Sequence, residues 1–271
     1  MWRWLGLAGL EISYRQETLI IDPCFRRFPA WRMFLGRLEP TPSASRFVKG
    51  CDYILVSHAH WDHMLDAPGL AKAFSAPMVG SKNTIRLGRI LGLPESQSSR
   101  VAAGEAITLG SFKVEVLPAQ HERVPGFNPG ALPSGLKPPL RARDYLPDAY
   151  YCYRINAGSV TLMTDPGVNP CVNNPADILF VQPHRSRHYY RKLLGSVKPK
   201  IIVPIHWDSL FRFSPEPPLS YLRPGFGWPP LKRVDLKKWA ESITRLSPAT
   251  EVVIPRPFVA FELPLQPRSD D

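Results

Sequence analysis

The chain has 271 residues, of which 44% are hydrophobic, and it carries a formal net charge of +11. Length and composition favour one large α/β domain over residues 1–271 and exclude a disordered, collagen-like or coiled-coil chain. No run reaches the roughly 18–20 apolar residues of a membrane span, and the N-terminal residues lack the pattern of a signal peptide. A cytoplasmic protein is therefore expected.

Short apolar or alternating runs predict β-strands along the whole chain. The N-terminal residues predict a first strand, and the clearest later runs are Leu10–Tyr14, Thr18–Ile21, Tyr53–Val56, Phe112–Leu117, Tyr150–Ile155, Val160–Met163, Ile178–Val181, Ile201–Ile205, Glu251–Ile254 and Val259–Leu263. Helical patterns occur at Ala67–Phe74, Thr84–Leu91, Tyr189–Leu194 and Leu231–Leu246. This order suits two sheets packed face to face with helices outside, but periodicity alone equally allows a doubly wound sheet.

Proline-rich stretches predict three long loops, at residues 23–49, 124–148 and 213–230. Ordering a long loop costs entropy without burying core, so loops of this length are usually lids or binding loops. No internal repeat or linker divides the chain.

A dense group of metal-ligand side chains follows one predicted strand. Tyr53–Val56 runs directly into Ser57-His58-Ala59-His60-Trp61-Asp62-His63, which places three histidines and an aspartate within six residues. Imidazole nitrogen and carboxylate oxygen are ligands that Zn²⁺ accepts. One histidine at a strand end is usually an ordinary polar residue, whereas four such side chains on one turn predict a metal site.

Three further residues of the same chemistry, His121, Asp165 and His206, each follow the carboxyl end of a predicted strand. Taken singly, each has an ordinary alternative, as a loop residue, a turn former before proline and a capping side chain. Taken jointly, they predict that several strands deliver metal ligands to one rim of the sheets.

The motif His58-x-His60-x-Asp62-His63, followed in order by His121, Asp165 and His206, resembles the signature of the metallo-β-lactamase superfamily. The segments Trp4–Gly9, Leu19–Pro23 and Pro199–Trp207 resemble the branch that contains L-ascorbate-6-phosphate lactonase. The resemblance covers most of the chain and implies a four-layer αββα sandwich. Gly6-Leu7-Ala8 and Thr164-Asp165-Pro166-Gly167 depart from that branch's usual Gly-His-Ala or Gly-His-Ser and Gly-Asp-Thr-Gly, and these departures remove no ligand but change the site's surroundings.

The resemblance also implies how the ligands divide between two divalent ions. The first ion would take His58, His60 and His121, the second would take Asp62, His63 and His206, and Asp165 would bridge both. Asp62 and Asp165 are the residues expected to act in catalysis. Zn²⁺ is the expected metal, with Mn²⁺ or Fe²⁺ as alternatives. A hydroxide held between two cations is a nucleophile at neutral pH, so no serine or cysteine nucleophile is needed.

Other residues are candidates for supporting roles. Asp22 and Asp208 could each accept the second ring N–H of a metal-binding histidine, with a turn or cap role as the alternative. His184, Arg185 and Arg187 could contact substrate, although an exposed loop is the simpler interpretation. Basic residues concentrate between positions 23 and 49 and between 185 and 200, either as solvated surface or as a positive rim for an anionic substrate.

Residues 25–38 are the best candidate for a lipid or substrate surface. If this segment is helical from Pro29, one side carries Trp31, Phe34, Leu35 and Leu38, with Arg32 and Arg37 away from it. Such a segment suits a lipid headgroup layer, but a short amphipathic helix more often covers its own core. Peripheral membrane contact is the alternative to ordinary packing.

The leading prediction is a metal-dependent hydrolase that cleaves an ester, lactone or phosphodiester bond of a small anionic substrate. A nuclease is an alternative, but no extended basic arm or aromatic-interleaved segment favours nucleic-acid binding. A phospholipid phosphodiesterase is a second alternative if residues 25–38 touch lipid. A non-catalytic metal-binding protein is least favoured because every ligand is present, and a β-lactam substrate is not implied by the fold.

Overall fold

Two seven-stranded sheets carry most of the structure, a computed structural model that describes residues 1–122, 129–170, 173–208, 220–224 and 231–264. In spatial order the first sheet contains β16 (Ala260–Phe261), β1 (Trp2–Gly6), β2 (Gly9–Tyr14), β3 (Glu17–Ile21), β4 (Tyr53–Leu55), β5 (Met78–Gly80) and β6 (Ser98–Arg100). The second contains β15 (Glu251–Val252), β12 (Ile201–Pro204), β11 (Ile178–Val181), β10 (Val160–Met163), β9 (Tyr151–Ala157), β8 (Phe112–Pro118) and β7 (Ala106–Leu109). A separate antiparallel hairpin pairs β13 (Ser220–Pro224) with β14 (Leu231–Asp235).

The alternation of side chains along the central strands creates the layers. Ile20 faces outward into a cluster with the helices, whereas Leu19 and Ile21 face inward against the second sheet, because successive side chains of a strand point to opposite faces. The described helices are α1 (Ala30–Leu35), α2 (Trp61–Met64), α3 (Ala67–Phe74), α4 (Lys82–Ile90), α5 (Arg187–Val197) and α6 (Leu236–Leu246). Residues of α2, α3 and α4 pack on the first sheet, and those of α5 and α6 pack on the second. The predicted αββα sandwich is confirmed.

The segment Leu231–Leu246 is not the single helix that its periodicity predicted. Its first five residues pair with β13 as β14, and the helix α6 begins only after Asp235. The Asp235 side chain accepts a hydrogen bond from the Lys238 backbone N–H at 3.0 Å, which is the arrangement of an N-terminal helix cap. Strand pairing and this cap therefore override the helical pattern upstream of Asp235.

The three predicted long loops differ in what they contain. The loop at 23–49 includes α1 and a 3₁₀ turn at Ala44–Phe47. The loop at 124–148 includes a 3₁₀ turn at Ala142–Asp144, and its residues 124–128 lie outside the described residues. The predicted loop at 213–230 contains the strand β13, while 213–219 and 225–230 lie outside the described residues. No described helix has both the length and the hydropathy that a bilayer crossing requires.

A buried carboxylate fixes the loop at 23–49 to the core. Asp66 is fully buried and accepts hydrogen bonds from the backbone N–H groups of Phe25 at 2.7 Å and Thr41 at 2.6 Å. The Thr41 hydroxyl donates a third bond at 2.9 Å. Burial raises the pKa of Asp66, and these hydrogen bonds oppose that rise. The loop thus depends on one side chain for several of its backbone groups.

We expect Asp66→Ala to lower the free energy of unfolding by about 2–4 kcal/mol, because buried N–H donors would lose their acceptor. Urea unfolding followed by circular dichroism measures the change. Glu95→Ala is the matched control, because the Glu95 carboxylate is exposed and pairs with Arg89 at 2.8 Å across the surface. Equal losses of stability in the two variants would contradict the anchoring role of Asp66.

Candidate metal centre

Strands from both sheets end at the same rim of the molecule. Asp22 follows β3, and His58 comes shortly after β4, while His121, Asp165 and His206 follow β8, β10 and β12. The open cleft at this rim is lined by His58, His63, His121, Asp165 and His206, among others. The carboxyl ends of strands in two sheets therefore bring distant parts of the sequence to one site.

The donor atoms form two adjacent groups of three. Ligand atoms of His58, His60 and His121 all lie within 4.8 Å of one another, and Nε2 of His58 is 3.0 Å from Nδ1 of His60. Ligand atoms of Asp62, His63 and His206 satisfy the same limit. These two groups contain the six residues that the family resemblance assigns to separate ions, whereas Asp165, expected to bridge both ions, is in neither group.

Within the second group, Oδ2 of Asp62 lies 3.3 Å from Nε2 of His206 and 3.8 Å from Nε2 of His63. Asp165 lines the same cleft, and its carboxylate accepts hydrogen bonds from the backbone N–H groups of Gly167 at 2.9 Å and Gln182 at 3.3 Å. All seven residues predicted as ligands are therefore found at one rim.

The hydrogen bonds around the histidines test whether this donor set suits a cation. Nδ1 of His121 lies 2.6 Å from the Glu122 carbonyl oxygen, and Nδ1 of His63 lies 2.8 Å from the Asp22 carboxylate. Each of these rings uses Nδ1–H as a donor, so its Nε2 keeps a lone pair for a metal ion. Imidazole nitrogens and carboxylate oxygens arranged in this way fit divalent metal ions such as Zn²⁺.

Burial keeps two rings of the first group, those of His58 and His121, neutral. Burial, together with the neighbouring histidines, lowers the pKa of His58 well below the usual value. Burial also lowers the pKa of His121, although the Glu122 carbonyl partly opposes this. Neutral imidazole is the form that binds metal, so these two rings can bind a cation at neutral pH.

The second group has the opposite balance, because its carboxylates outweigh burial. Burial lowers the pKa of His63, but the charges of Asp22 and Asp62 reverse this and raise it. Burial raises the pKa of Asp62, but His63 and His206 bring it well below the usual range. For Asp165, burial dominates and raises the pKa, with Arg185 in partial opposition. A divalent cation would favour neutral His63 and ionised Asp165.

Ser57 is a polar residue of the site that the sequence reasoning missed. Its hydroxyl lies 2.6 Å from Oδ2 of Asp22, 3.0 Å from Nδ1 of His58 and 3.2 Å from Nδ1 of His63. Its backbone N–H also donates to Oδ1 of Asp22 at 2.7 Å. The only sequence signal was its place directly before His58.

Of the two roles left open for Asp208, the structure shows the structural one. One of its carboxylate oxygens accepts a hydrogen bond from the Leu7 backbone N–H at 2.9 Å, and the other accepts from Nη2 of Arg27 at 2.6 Å. The side chains of Arg27 and Asp208 are 5% and 0% exposed, so this is a buried ion pair. Asp208 therefore fixes the N-terminal strand turn and the loop at 23–49, rather than orienting His206 through its ring.

The backbone next to the ligands is held in an uncommon conformation. Leu7, Asp22 and His206 have φ values of 48°, 47° and 56°, a left-handed region that costs non-glycine residues about 1–3 kcal/mol each. The His206 backbone N–H donates to the Leu7 carbonyl at 2.8 Å. Gly6 is required beside them, because a Cβ there would lie 2.7 Å from Nη2 of Arg27 and its φ is +93°.

Tyr150 is a second residue of the cleft that the sequence reasoning missed. Its ring is stacked on His121, with centroids 5.2 Å apart and an interplanar angle of 21°, and it lies 5.1 Å from the His58 ring. The predicted strand began at Tyr150, whereas β9 begins at Tyr151 and leaves Tyr150 at the rim. Burial raises the pKa of Tyr150, so its hydroxyl stays protonated at neutral pH.

The three predicted substrate residues lie outside the lining of the cleft, as far as the described residues define it. Arg185 forms an ion pair with Glu122, and Nε2 of His184 lies 3.7 Å from the same carboxylate. Arg187 is exposed at the start of α5. Of the three, Arg185 affects the site through its positive charge, which partly opposes the rise that burial causes in the pKa of Asp165.

The segment at 25–38 is only partly helical. Helix α1 spans Ala30–Leu35, and the side chains of Trp31 and Leu35 are 65% and 76% exposed. Leu38 does not share their face, because the helix ends at Gly36 and Leu38 is buried in the core. The side chain of Phe34 lies outside the described part of the chain.

Comparisons with known proteins agree with this fold. Residues 17–137 match the family model described as the beta-lactamase superfamily domain. A UPF0173 metal-dependent hydrolase from Ruegeria sp. is 32% identical over 119 residues, which cover 44% of this chain and 47% of that protein. The chain thus spans about half the length of the curated relatives it matches.

Solved structures resemble the chain over nearly its whole length. Igni18, a metallo hydrolase from Ignicoccus hospitalis, has a TM-score of 0.58 and 13% identity, and the match covers 94% of both chains. The metallo-beta-lactamase fold protein YhfI from Bacillus subtilis has a TM-score of 0.55 and 14% identity, covering 94% of this chain and 93% of that one. The protein therefore has the metallo-β-lactamase fold, and its residues 17–137 are similar to the beta-lactamase superfamily domain.

We expect His121→Ala to lower the metal content of the purified protein, because it removes one donor from the first group. His188→Ala is the matched control, because His188 is exposed on α5 and lies away from both groups. Plasma mass spectrometry of the dialysed proteins measures the metal per chain. Equal metal content in the two variants would contradict the assignment of His121.

Proposed function

We propose that this protein is a hydrolase that uses two divalent cations, most simply Zn²⁺, to cleave an ester, lactone or phosphodiester bond of a small anionic substrate. The observation that best supports this proposal is the pair of three-donor groups at one rim of the sheets. The names of the curated relatives, which are metal-dependent hydrolases, support the reaction class.

Each donor group would hold one cation. His58, His60 and His121 would hold the first, Asp62, His63 and His206 would hold the second, and Asp165 would contribute to both from the same cleft. When bound, such cations supply Lewis-acid chemistry and generate a nucleophile from water at neutral pH. Mn²⁺ and Fe²⁺ are the alternative metals, because His and Asp donors accept them as well.

The charge of the loaded site supports an anionic substrate. Two divalent cations would carry more positive charge than Asp22, Asp62 and Asp165 together carry negative charge. The chain itself has a net charge of +11, so no surplus of acidic groups opposes an approaching anion. The cleft would therefore attract a phosphate or carboxylate group.

Tyr150 is the side chain best placed to assist the reaction from the protein. Its ring is stacked on His121 in the lining of the cleft. Because burial raises its pKa, the hydroxyl can donate a hydrogen bond to a substrate oxygen that gains negative charge. Asp62, with its lowered pKa, stays ionised during this step.

Metal analysis followed by a substrate screen tests the proposed function. We expect about two metal ions per chain, one for each donor group. We also expect the protein to hydrolyse chromogenic phosphodiesters, lactones or thioesters. His60→Ala and Asp165→Ala should each abolish turnover. Cleavage of bis-para-nitrophenyl phosphate without lactone cleavage would identify a phosphodiester as the type of bond that the protein cleaves. Metal-free protein, or full activity in both variants, would refute the proposal.

We expect Tyr150→Phe to lower kcat by roughly 10²-fold, the usual effect of removing one donor to a developing oxyanion. The phenyl ring can still stack on His121, so metal content should not change. Tyr53→Phe is the matched control, because the Tyr53 hydroxyl bonds Glu17 at 3.3 Å, away from the cleft. Unchanged kcat in Tyr150→Phe would remove Tyr150 from the mechanism.

A phospholipid as substrate is a second candidate, favoured by one specific observation. Trp31 and Leu35 lie four residues apart on α1 and are 65% and 76% exposed. Residues at this spacing share one face of a helix. Arginines 26, 32 and 37 lie near this helix in the sequence, with Arg26 and Arg32 paired with Glu39. Exposed apolar side chains close to basic residues suit a layer of anionic headgroups.

We expect the double variant Trp31→Ala, Leu35→Ala to lose binding to anionic phospholipid vesicles, measured by co-sedimentation. Phe74→Ala is the matched control, because Phe74 is another exposed apolar residue, at 36%, on the separate helix α3. If the wild-type protein does not sediment with vesicles, the lipid candidate is wrong, and a small soluble substrate is favoured.

A further inference from the structure

An ion pair joins two loops at the rim of the second sheet. Arg185 lies in the loop after β11 and Glu122 in the loop after β8, and the strands β10 and β9 lie between β11 and β8 in the sheet. Nη1 of Arg185 bonds to Oε1 of the Glu122 carboxylate. The two side chains are 9% and 28% exposed, so the guanidinium is buried and the carboxylate reaches partly into solvent. The ion pair therefore spans the ends of two strands.

Arg185 is held in place by residues at the start of α5. Its backbone N–H donates to the Tyr190 hydroxyl at 3.3 Å, and this hydroxyl donates to the Gln182 carbonyl at 2.6 Å. The guanidinium carbon lies 5.9 Å from the centroid of the Tyr189 ring, a contact that attracts a cation. The Tyr189 hydroxyl donates to the Gly167 carbonyl at 2.7 Å. The position of Arg185 is therefore set by contacts on its own side of the sheet.

Glu122 is also the residue that contacts the His121 ring. Its carbonyl oxygen lies 2.6 Å from Nδ1 of His121, while the Tyr150 ring is stacked on the imidazole. The stack would be nearly the same after a half-turn of the ring, whereas only one of these two orientations brings Nδ1 to the carbonyl. The Glu122 carbonyl therefore decides which way the ring nitrogens of His121 point.

We propose that Arg185 is a positioning residue for His121 and acts through Glu122. Pairing with Arg185 keeps the Glu122 side chain at the rim, and this keeps the carbonyl of the same residue against the His121 ring. Without Arg185 the carboxylate would lose this partner and turn towards water, because an ionised group is more stable there. The carbonyl would then leave the ring, and His121 would no longer be held towards His58 and His60.

The positioning role rests on the proposed two-cation function and concerns one of its two donor groups. Arg185 supplies no ligand atom under the proposed assignment, so a change there should weaken only the ion held by His58, His60 and His121. Residues that orient a metal-binding histidine typically change metal affinity by about 10–100-fold. The charge of Arg185 alone would have the opposite effect, because removing a positive charge favours a cation nearby.

Titration of the metal-free protein with Co²⁺, followed by visible absorption and calorimetry, tests this role. We expect Arg185→Met to lower the affinity for one of the two ions by about 10–100-fold and to leave the affinity for the other unchanged. Arg185→Lys keeps a cation opposite Glu122 and should recover part of the loss. Arg191→Met is the matched control, because Arg191 is an exposed arginine of α5, and it should bind both ions like the wild-type protein.

A second variant at the ligand tests whether the effect passes through His121. We expect Arg185→Met to cause no further loss when it is added to His121→Ala, measured on the ions that His121→Ala still binds. Additive losses would overturn the positioning role. Equal losses for both ions in Arg185→Met, or affinities at or above those of the wild-type protein, would overturn it as well.

The outcomes separate the positioning role from the proposed function. A wild-type protein that binds no ion, or only one, would overturn the proposed function itself, whereas two ions bound with unchanged affinity in Arg185→Met would overturn only the role of Arg185. If Arg185→Met does not fold, as judged by circular dichroism, Glu122→Ala serves as the second variant. It keeps the backbone carbonyl but removes the side chain that anchors it, so it should weaken the same ion, and unchanged affinity would overturn the role.

Discussion

The structure depends on gathering five histidines and two aspartates, all buried or half-buried, at one rim of two packed sheets. Burying polar groups without partners costs several kcal/mol each, so their outward nitrogens are bonded to protein. Nδ1 of His63 bonds to the Asp22 carboxylate, and Nδ1 of His121 bonds to the Glu122 carbonyl. The remaining ligand atoms lie within 4.8 Å of one another in each group. A cation bound in each group would interact with all of its ligand atoms. Metal binding and stability of this rim are thus two aspects of one constraint.

The rim is fixed by contacts that join distant parts of the chain. The ion pair between Arg27 and Asp208 links the loop at 23–49 to the residues after β12. Leu7 bonds to Asp208 through its N–H and to His206 through its carbonyl. The first strand turn therefore supports the last ligand, at the cost of left-handed backbone at Leu7 and His206. Such strain at a functional site persists because the surrounding contacts determine it.

The sequence predicted the parts of the molecule that rest on strong local patterns. Buried strands such as β3 and β4 and the dense motif from His58 to His63 were evident from side-chain type and spacing. The short strands β5, β6 and β7 were missed. β5 is only Met-Val-Gly and β6 is Ser-Ser-Arg, without an apolar residue, so neither gives a strand pattern. Ser57 and Tyr150 could not be assigned, because serine before a histidine and tyrosine at a strand start have no distinctive pattern. Their roles follow from contacts made only after the two sheets pack.

The most direct measurement of the central claim is anomalous X-ray diffraction at the zinc absorption edge from crystals grown with Zn²⁺. The account predicts two peaks for each chain, one among His58, His60 and His121 and another among Asp62, His63 and His206. A single peak, or density with no anomalous signal at this rim, would contradict it.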